Sequence, residues 1–105
     1  MDVIDPAKLK LGNPLPGYRF KPGECIANWR FVELFRQGKC TQKELDDLKM
    51  LVVEVGIDTI TQSESYRLLY YYTAGGDKIP WNQIDHWRPK DVVESNFEPC
   101  DHPQI

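Results

Sequence analysis

The sequence predicts a small, mainly α-helical fold with a three-helix core and proline-rich extended arms. All eight prolines lie outside residues 23–79, and because proline blocks helix interiors, this middle segment is the regular core. Within it, Gly38, Gly56 and the Gly75-Gly76 pair follow one another at intervals of 18 and 19 residues. A glycine just past a helix is the usual left-handed cap, so each interval predicts one helix and its connection.

Two capping-box patterns predict where helices begin. Thr41-Gln42-Lys43-Glu44 and Thr61-Gln62-Ser63-Glu64 each place a glutamate three residues after a threonine, so that the two side chains can satisfy free amides reciprocally. Together with the glycines, these starts predict helix one at about 24–37, helix two at about 42–55 and helix three at about 62–74.

Apolar spacing predicts the faces that these helices bury. Helix one should bury an apolar stripe at i, i+4, i+7 and i+8, with Trp29 on the opposite side; the stripe is Ala27, Phe31, Leu34 and Phe35. Helix two aligns its leucines and valines on one face. Helix three is apolar or aromatic around nearly its whole circumference, which predicts a helix that is either central in the core or covered by another chain. The resulting core should bury six residues together: Leu34, Phe35, Leu48, Leu51, Tyr66 and Leu69.

A small α+β fold is the structural alternative. Residues 51–57 are rich in β-branched side chains and residues 70–72 are three tyrosines, both of which favour strands. Whether residues 50–60 and 70–73 form helix or strand is therefore left open. Beyond the glycine pair, residues 80–87 predict a short helix, residues 91–97 a further turn, and the remaining tail an extended chain.

Length and composition predict a single domain of 105 residues. It would consist of an extended arm (1–22), a helical core (23–79), and a short helix with an acidic tail (80–105). No apolar stretch is long enough to span a membrane, and the acidic start lacks the pattern of a secretory signal. Three cysteines at wide spacing indicate free thiols rather than a disulfide framework. We therefore expect a cytoplasmic protein.

Charge is distributed unevenly along the chain, whose net charge is −3. Residues 1–40 hold seven Lys/Arg against four Asp/Glu, a net of +3, and residues 41–105 hold six against twelve, a net of −6. An acidic protein is repelled by phosphate backbones, so nucleic-acid binding starts at a disadvantage. The basic arm and the acidic tail could instead pair, within one molecule or between subunits, unless both are simply solvated surface.

No pattern of catalytic residues emerges from the sequence. A nucleophile–base–acid triad, a phosphate-binding glycine loop and a dinucleotide fingerprint are all missing. The best candidate metal ligands are Cys25, Cys40, His86, Cys100 and His102. Zinc sites normally bring their ligands as two close pairs; Cys100 and His102 are a plausible pair, but Cys25 and Cys40 are 15 residues apart on different elements. We therefore predict no enzyme activity, no metal and no cofactor; a metal-dependent or thiol enzyme would require bound metal or a lowered thiol pKa.

The segment Thr41-Gln42-Lys43-Glu44-Leu45 resembles the opening of the first helix in helix-turn-helix DNA-binding domains. In those domains a glycine-centred turn leads closely into a second helix that enters the major groove. Here Gly56 comes fifteen residues after Thr41, and helix three offers Arg67 alone among tyrosines. Ordinary helix capping accounts for the pattern, which does not by itself indicate a family.

The aromatic residues give the leading functional hypothesis. Aromatic side chains dominate protein–protein hot spots, and a proline-rich arm loses little entropy on binding. We expect a non-catalytic adaptor, inhibitor or accessory subunit that binds a larger protein or itself. The predicted binding residues are Tyr18, Phe20, Trp29, Trp81, Ile84 and Trp87. The competing interpretation makes these aromatics lids on the core, and the alternative function is a nucleic-acid-binding regulator with a helix-turn-helix-like core that uses Arg19, Lys21, Arg30 and Arg36.

Overall fold

The computed structural model describes residues 9–71 and 86–103, which form a five-stranded antiparallel sheet with three short helices. The fold is therefore α+β, and the prediction of a mainly α fold is wrong. In space the strands follow the order β4-β3-β2-β1-β5. The elements in chain order are β1 (Cys25–Asn28), α1 (Trp29–Arg36), α2 (Gln42–Leu48), β2 (Met50–Ile57), β3 (Glu64–Tyr70), β4 (His86–Pro89), α3 (Lys90–Asn96) and β5 (Phe97–Pro99).

Predicted helix two is half helix and half strand. Its capping box is confirmed, since the side chains of Thr41 and Glu44 each accept a hydrogen bond from the backbone amide of the other residue. The helix nevertheless ends at Leu48, because Lys49 is extended with ψ 143°. The β-branched residues that follow form β2, in which strand propensity and pairing on both sides prevail over helical periodicity. The helix-turn-helix-like core would need a second helix after α2, but strands β2 and β3 follow α2 instead.

The described part of predicted helix three is strand β3, so its capping box and its helical core position are wrong; residues 72–74 lie outside the described residues. Asp58 organises a turn instead, accepting hydrogen bonds from the Ile60 amide at 3.0 Å and the Thr61 hydroxyl at 3.1 Å. Gln62 follows with φ +58°, the left-handed conformation, which leads the chain into β3. The apparent apolar circumference arises because a central strand buries both of its faces.

Predicted helix one also divides, into β1 and α1. The Asn28 side chain caps α1 by accepting from the Arg30 amide at 2.9 Å, and Gly38 ends it with φ +73°, as predicted for a cap. The predicted buried stripe is wrong for this helix. Val32 is its buried residue, whereas the exposed large hydrophobic residues include Phe31, Leu34 and Phe35.

The sheet carries a hydrophobic cluster on each face. The face covered by α3, called here the α3 face, is built from Phe20, Ile26, Met50, Val52, Val55, Tyr66, Leu68 and Val93. The opposite face, called here the thiol face, is built from Cys25, Leu51, Val53, Leu69 and Tyr71. The six-residue core predicted above is therefore wrong as a single cluster, because Tyr66 lies on the other side of the sheet from Leu51 and Leu69.

The described part of the amino-terminal arm packs against this sheet. Tyr18 and Phe20 contribute to the α3 face, and Leu9 and Leu11 pack on the thiol face. The arm also contacts the acidic carboxyl-terminal region: the Arg19 guanidinium donates to the carbonyl of Glu94 at 2.9 Å. Pairing of basic and acidic regions thus occurs within one molecule. Across the described ranges, no helix is long and apolar enough to cross a lipid bilayer.

Candidate functional site

Two surface depressions flank helix α1. The first, called here the apolar groove, has a volume of about 310 Å³ and lies on the α3 face. The second, called here the thiol cleft, has a volume of about 380 Å³ and lies towards the thiol face. Nine residues line the apolar groove: Asn28, Phe31, Leu48, Met50, Tyr70, Arg88, Val92, Asn96 and Phe97.

The apolar groove exists because α3 covers only part of its face of the sheet. Val93 is the buried residue of α3, while Val92 is 46% exposed at the groove. Asn28 is both the last residue of β1 and the N-cap of α1. This position of the helix start places Phe31, about one turn later, at the rim of the groove. The end of α2 supplies Leu48 as the remaining wall. Local capping chemistry thus sets the shape of the groove.

Within residues 9–71 and 86–103, Arg88 is the single charged residue that lines the groove, and no acidic residue of these ranges lines it. The Nε atom of Arg88 is buried and has no hydrogen-bond partner among the described residues. A buried donor without a partner costs free energy. Because Arg88 lines the groove, a turn of its side chain towards an acceptor on a bound molecule would recover that cost. The groove is therefore suited to an apolar group that ends in a carboxylate or carbonyl oxygen.

Helix α1 carries an exposed surface next to the groove, called here the aromatic surface: Trp29, Phe31, Leu34 and Phe35. Their exposed fractions are 46, 38, 36 and 36%, so a short helix offers four large apolar side chains to solvent. The Arg30 guanidinium lies 5.5 Å from the centre of the Trp29 ring, within cation–π range. Phe31, Leu34 and Phe35 lie on one side of the helix and Trp29 on the other, and neighbouring exposed apolar side chains such as the first three are typical of interaction sites.

The structure distributes the predicted binding residues very unevenly. Phe20 is 1% exposed, and Tyr18 packs edge-on against Tyr66 while its hydroxyl donates to the Gly56 carbonyl. These two side chains therefore cover the core, and of the four predicted binding residues that the structure describes, Trp29 alone lies on the aromatic surface. Trp87 is half-buried in β4. Trp81 and Ile84 lie outside the described residues.

Side chains from four separate parts of the chain meet at the thiol cleft. The Cys25 and Cys100 sulfurs are 3.0 Å apart, and the Tyr71 hydroxyl hydrogen-bonds to Nδ1 of His102. Beside them the buried Lys49 ammonium contacts a carboxylate oxygen of Asp46 at 2.8 Å. The cleft is thus lined by the Cys100 thiol and the Lys49 ammonium, with the buried Cys25 thiol in contact with Cys100.

The two thiols alter each other's pKa. A hydrogen bond between them lowers the pKa of Cys25, because it favours the thiolate there, and Lys49 acts in the same direction. The same hydrogen bond raises the pKa of Cys100, and burial adds to that effect. Burial is also the main cause of the raised pKa of Tyr71.

The metal ligands considered from the sequence do not converge in the described part of the chain. Cys40 lies apart from the thiol pair, with its sulfur 3.8 Å from the Phe31 carbonyl oxygen. Among residues 9–71 and 86–103 no group of three histidine, cysteine or acidic side chains is placed to hold a metal ion.

Comparison of the chain with known protein families, characterised proteins and solved structures found no match. The site therefore has to be interpreted from its own chemistry. Sequence reasoning missed Arg88 and the groove, which arise only from strand pairing. It also assigned Phe31, Leu34 and Phe35 to the core, because the spacing that buries a helix is also the spacing that a binding helix presents.

Proposed function

We propose that the protein is a non-catalytic protein-binding module that recognises an apolar segment with an acidic group on another protein. The aromatic surface and the apolar groove together would form the binding site. Adaptors, inhibitors and accessory subunits all act in this way. The observation that carries the proposal is the exposed apolar side of α1 beside a groove in which, among the described residues, Arg88 is the one charged lining residue and its buried Nε has no partner.

Apolar exposure supports a protein as the partner. An eight-residue helix that buries only Val32 gains little from its own packing, and its aromatic side chains belong to the residue types enriched in interface hot spots. Phe31 belongs to both the aromatic surface and the groove. A partner side chain inserted beside Phe31 would therefore be desolvated on two sides, as a hot-spot anchor is.

Charge supports an acidic group in that partner. Arg88 lies in the groove without an acidic neighbour there, and Arg30 has no carboxylate within ion-pairing distance in the described ranges. A carboxylate placed at Arg88 would gain a charge-assisted hydrogen bond in a partly dry site. Opposite charges would also speed association.

Selection from a random peptide library displayed on phage tests this proposal. We expect the selected peptides to share an apolar or aromatic anchor near an Asp or Glu. Binding of the best peptide, measured by calorimetry, should weaken about tenfold or more with Phe31→Ala and with Arg88→Gln, because each removes one recognised group. Peptides of basic or purely polar sequence would contradict the proposal.

Ile60→Ala serves as the matched control. Ile60 is 90% exposed in the turn between β2 and β3, so its replacement removes a solvent-exposed apolar group away from α1. Equal binding losses for Phe31→Ala and Ile60→Ala would show that the peptides adhere to any exposed apolar side chain. Sedimentation velocity on the protein alone separates a second possibility: a dimer that Phe31→Ala dissociates would make a second copy of the chain the partner.

A single-stranded nucleic acid is the second candidate ligand. The exposed Trp29 ring with Arg30 against it is the kind of platform on which bases stack beside a cation. Two of the four predicted phosphate contacts are engaged within the chain, since Arg19 donates to Glu94 and Arg36 pairs with Glu98 at 3.5 Å. Lys21 and Arg30 remain for phosphates, which favours the protein partner.

Fluorescence anisotropy with a labelled oligothymidine separates these candidates. A nucleic-acid function predicts binding that falls steeply between about 50 and 200 mM salt and that Arg30→Gln weakens. Binding to the selected acidic peptide should instead depend chiefly on Phe31. No detectable oligothymidine binding at low salt would eliminate the nucleic-acid candidate.

A further inference from the structure

We propose that Cys25 and Cys100 are a redox-modification site, which closes to a reversible disulfide by exchange with a small disulfide of the oxidised-glutathione class. This site is separate from the proposed binding function. Two observations support the proposal: the pairing register of β1 and β5 places the two cysteines opposite each other, and their sulfur atoms are close together.

The strand register already brings Cys25 and Cys100 close enough that a disulfide can form with little movement of the chain. Ile26 pairs with Pro99 and Ala27 with Glu98 in the antiparallel ladder, so the next position outward places Cys25 opposite Cys100. The Cys100 amide donates to the Cys25 carbonyl at 3.0 Å. Such hydrogen-bonded pairs have Cα atoms about 5.5 Å apart, inside the range of natural disulfides. The sulfurs, now 3.0 Å apart, need to approach by about 1 Å.

Access to the two sulfurs differs. Cys25 is 2% exposed, whereas Cys100 is half-buried and lines the thiol cleft. The Lys49 ammonium is 5% exposed and also lines this cleft, and its positive charge favours a thiolate on either cysteine. The pair favours the thiolate on Cys25, so transfer of the Cys100 proton to Cys25 across their hydrogen bond puts the negative charge on the accessible sulfur when an oxidant arrives.

The exchange proceeds in two balanced steps. The Cys100 thiolate attacks one sulfur of the small disulfide, so that a mixed disulfide forms and one thiolate leaves. Cys25 then gives its proton to the first departed thiolate, and its sulfur attacks the Cys100 sulfur of the mixed disulfide. A second small thiolate leaves and takes up the proton that Cys100 lost when it became a thiolate. Two electrons pass from the cysteine pair to the small disulfide, which ends as two thiols.

Closure would tie the edge strand β5 to β1. The two cysteines are 75 residues apart in the chain, and cross-linking distant positions restricts the unfolded state strongly. The oxidised protein should therefore melt on the order of 10 °C higher than the reduced protein. The sulfur that lines the thiol cleft would be capped, while the apolar groove on the other face would be unchanged.

The test uses the full chain with Cys40→Ser, which removes the third thiol, and oxidised glutathione as the probe. After incubation of the reduced protein, intact mass should fall by about 2 Da, and peptide mapping should link Cys25 to Cys100. Dithiothreitol should restore both the mass and the lower melting temperature. Two free thiols in the folded Cys40→Ser protein after treatment would overturn the proposal.

Two further variants in the Cys40→Ser background test the order of attack. Cys25→Ser should accumulate a stable glutathione adduct on Cys100, because no second thiol resolves it. Cys100→Ser should acquire little adduct, because Cys25 is buried. Adduct on Cys25 but not on Cys100 would overturn the assignment of Cys100 as the attacking sulfur. Should Cys25→Ser fail to fold, the peptide that links Cys25 to Cys100 in the Cys40→Ser protein still tests whether the disulfide forms.

Discussion

The Tyr66 hydroxyl donates a hydrogen bond to the Glu94 carboxylate, which joins the centre of the sheet to helix α3. The same hydroxyl accepts from the Phe20 amide at 3.1 Å, and the same carboxylate oxygen accepts from the Arg19 amide at 2.9 Å. Tyr66 is fully buried. The arm, the sheet and α3 are thus held by one small polar network, in which each group depends on the others.

Removal of this hydroxyl should be costly. We expect Tyr66→Phe to lower the free energy of unfolding by about 1–3 kcal/mol, because the Phe20 amide is left buried without an acceptor. Urea denaturation measures the change. Tyr18→Phe is the matched control: it removes one hydrogen bond, to the Gly56 carbonyl, from a half-buried position and should cost less. Equal losses in the two variants would show that the network adds nothing beyond a single hydrogen bond.

Alkaline pH should destabilise the protein through its buried tyrosines. Burial, reinforced by Glu94, raises the pKa of Tyr66 above its usual 10.0, and burial likewise raises the pKa of Tyr71. A pKa raised in the folded state contributes stability that is present below the unfolded pKa and is lost as pH rises through the folded pKa. The free energy of unfolding should therefore fall above about pH 10.

Urea titrations across this pH range, paired with phenolate absorbance, check the expectation. Tyr66→Phe should show a shallower alkaline decline than the unmodified protein, since it lacks one of the groups whose ionisation drives it. A decline of the same steepness would mean that other groups control alkaline unfolding.

Local capping chemistry was predictable from the sequence, and long-range pairing was not. The Thr41 capping box and the Gly38 cap depend on residues a few positions apart, and both are confirmed. The second Thr-Gln-x-Glu pattern has the same letters but lies in a turn, because Asp58 engages Thr61 and the chain beyond pairs with β2. Identical local signals therefore lead to a helix or a strand according to their tertiary partners.

Position 48 shows the consequence for stability. A single helix over 42–55 would place Leu48 and Leu51 on one buried face with similar roles. Instead, Leu51 is fully buried in β2, and Leu48 is half-buried at the groove. We expect Leu51→Ala to cost about 2–5 kcal/mol and Leu48→Ala distinctly less in urea denaturation, since the cost follows the cavity left behind. Similar costs would favour the helical arrangement.

The candidate site was predictable only in its residue types. Exposed aromatics were expected to bind a partner, and Trp29 is exposed, but Phe20 fills the core instead. Amino-acid type alone cannot separate these outcomes, because burial depends on which side of a strand or helix meets the sheet. Cys25 and Cys100 became neighbours through a strand pair that joins the two ends of the chain, and no local pattern indicates such a pair.

The buried ion pair beside the thiols supplies a further prediction. Lys49 is 5% exposed and contacts Asp46 at 2.8 Å, at the end of α2. Asp46→Asn should destabilise the protein by about 3–5 kcal/mol, because it leaves a buried ammonium without its counter-charge, whereas Lys49→Met should cost less by keeping an apolar stem of similar volume. Urea denaturation compares them. A larger loss for Lys49→Met would show that the lysine is well solvated without Asp46.

The exposure of Trp29 beside Arg30 can be measured by fluorescence quenching. In a protein with Trp81→Phe and Trp87→Phe, Trp29 is the only remaining indole. Because its side chain is 46% exposed, its emission should be red-shifted and readily quenched by neutral acrylamide. Because the Arg30 guanidinium lies 5.5 Å from the ring centre, iodide should quench more efficiently than caesium at low ionic strength, and added salt should reduce the difference.

Arg30→Gln separates exposure from charge in the same single-tryptophan protein. Loss of the cation should lower quenching by iodide and leave quenching by acrylamide unchanged, because the ring stays at the surface while the local positive potential disappears. Addition of the selected acidic peptide should shift the emission to the blue and protect it from both quenchers, as expected for an anchor that becomes buried on binding. Emission that is already blue-shifted and protected in the free protein would instead make Trp29 a lid on the core, and would remove it from the aromatic surface.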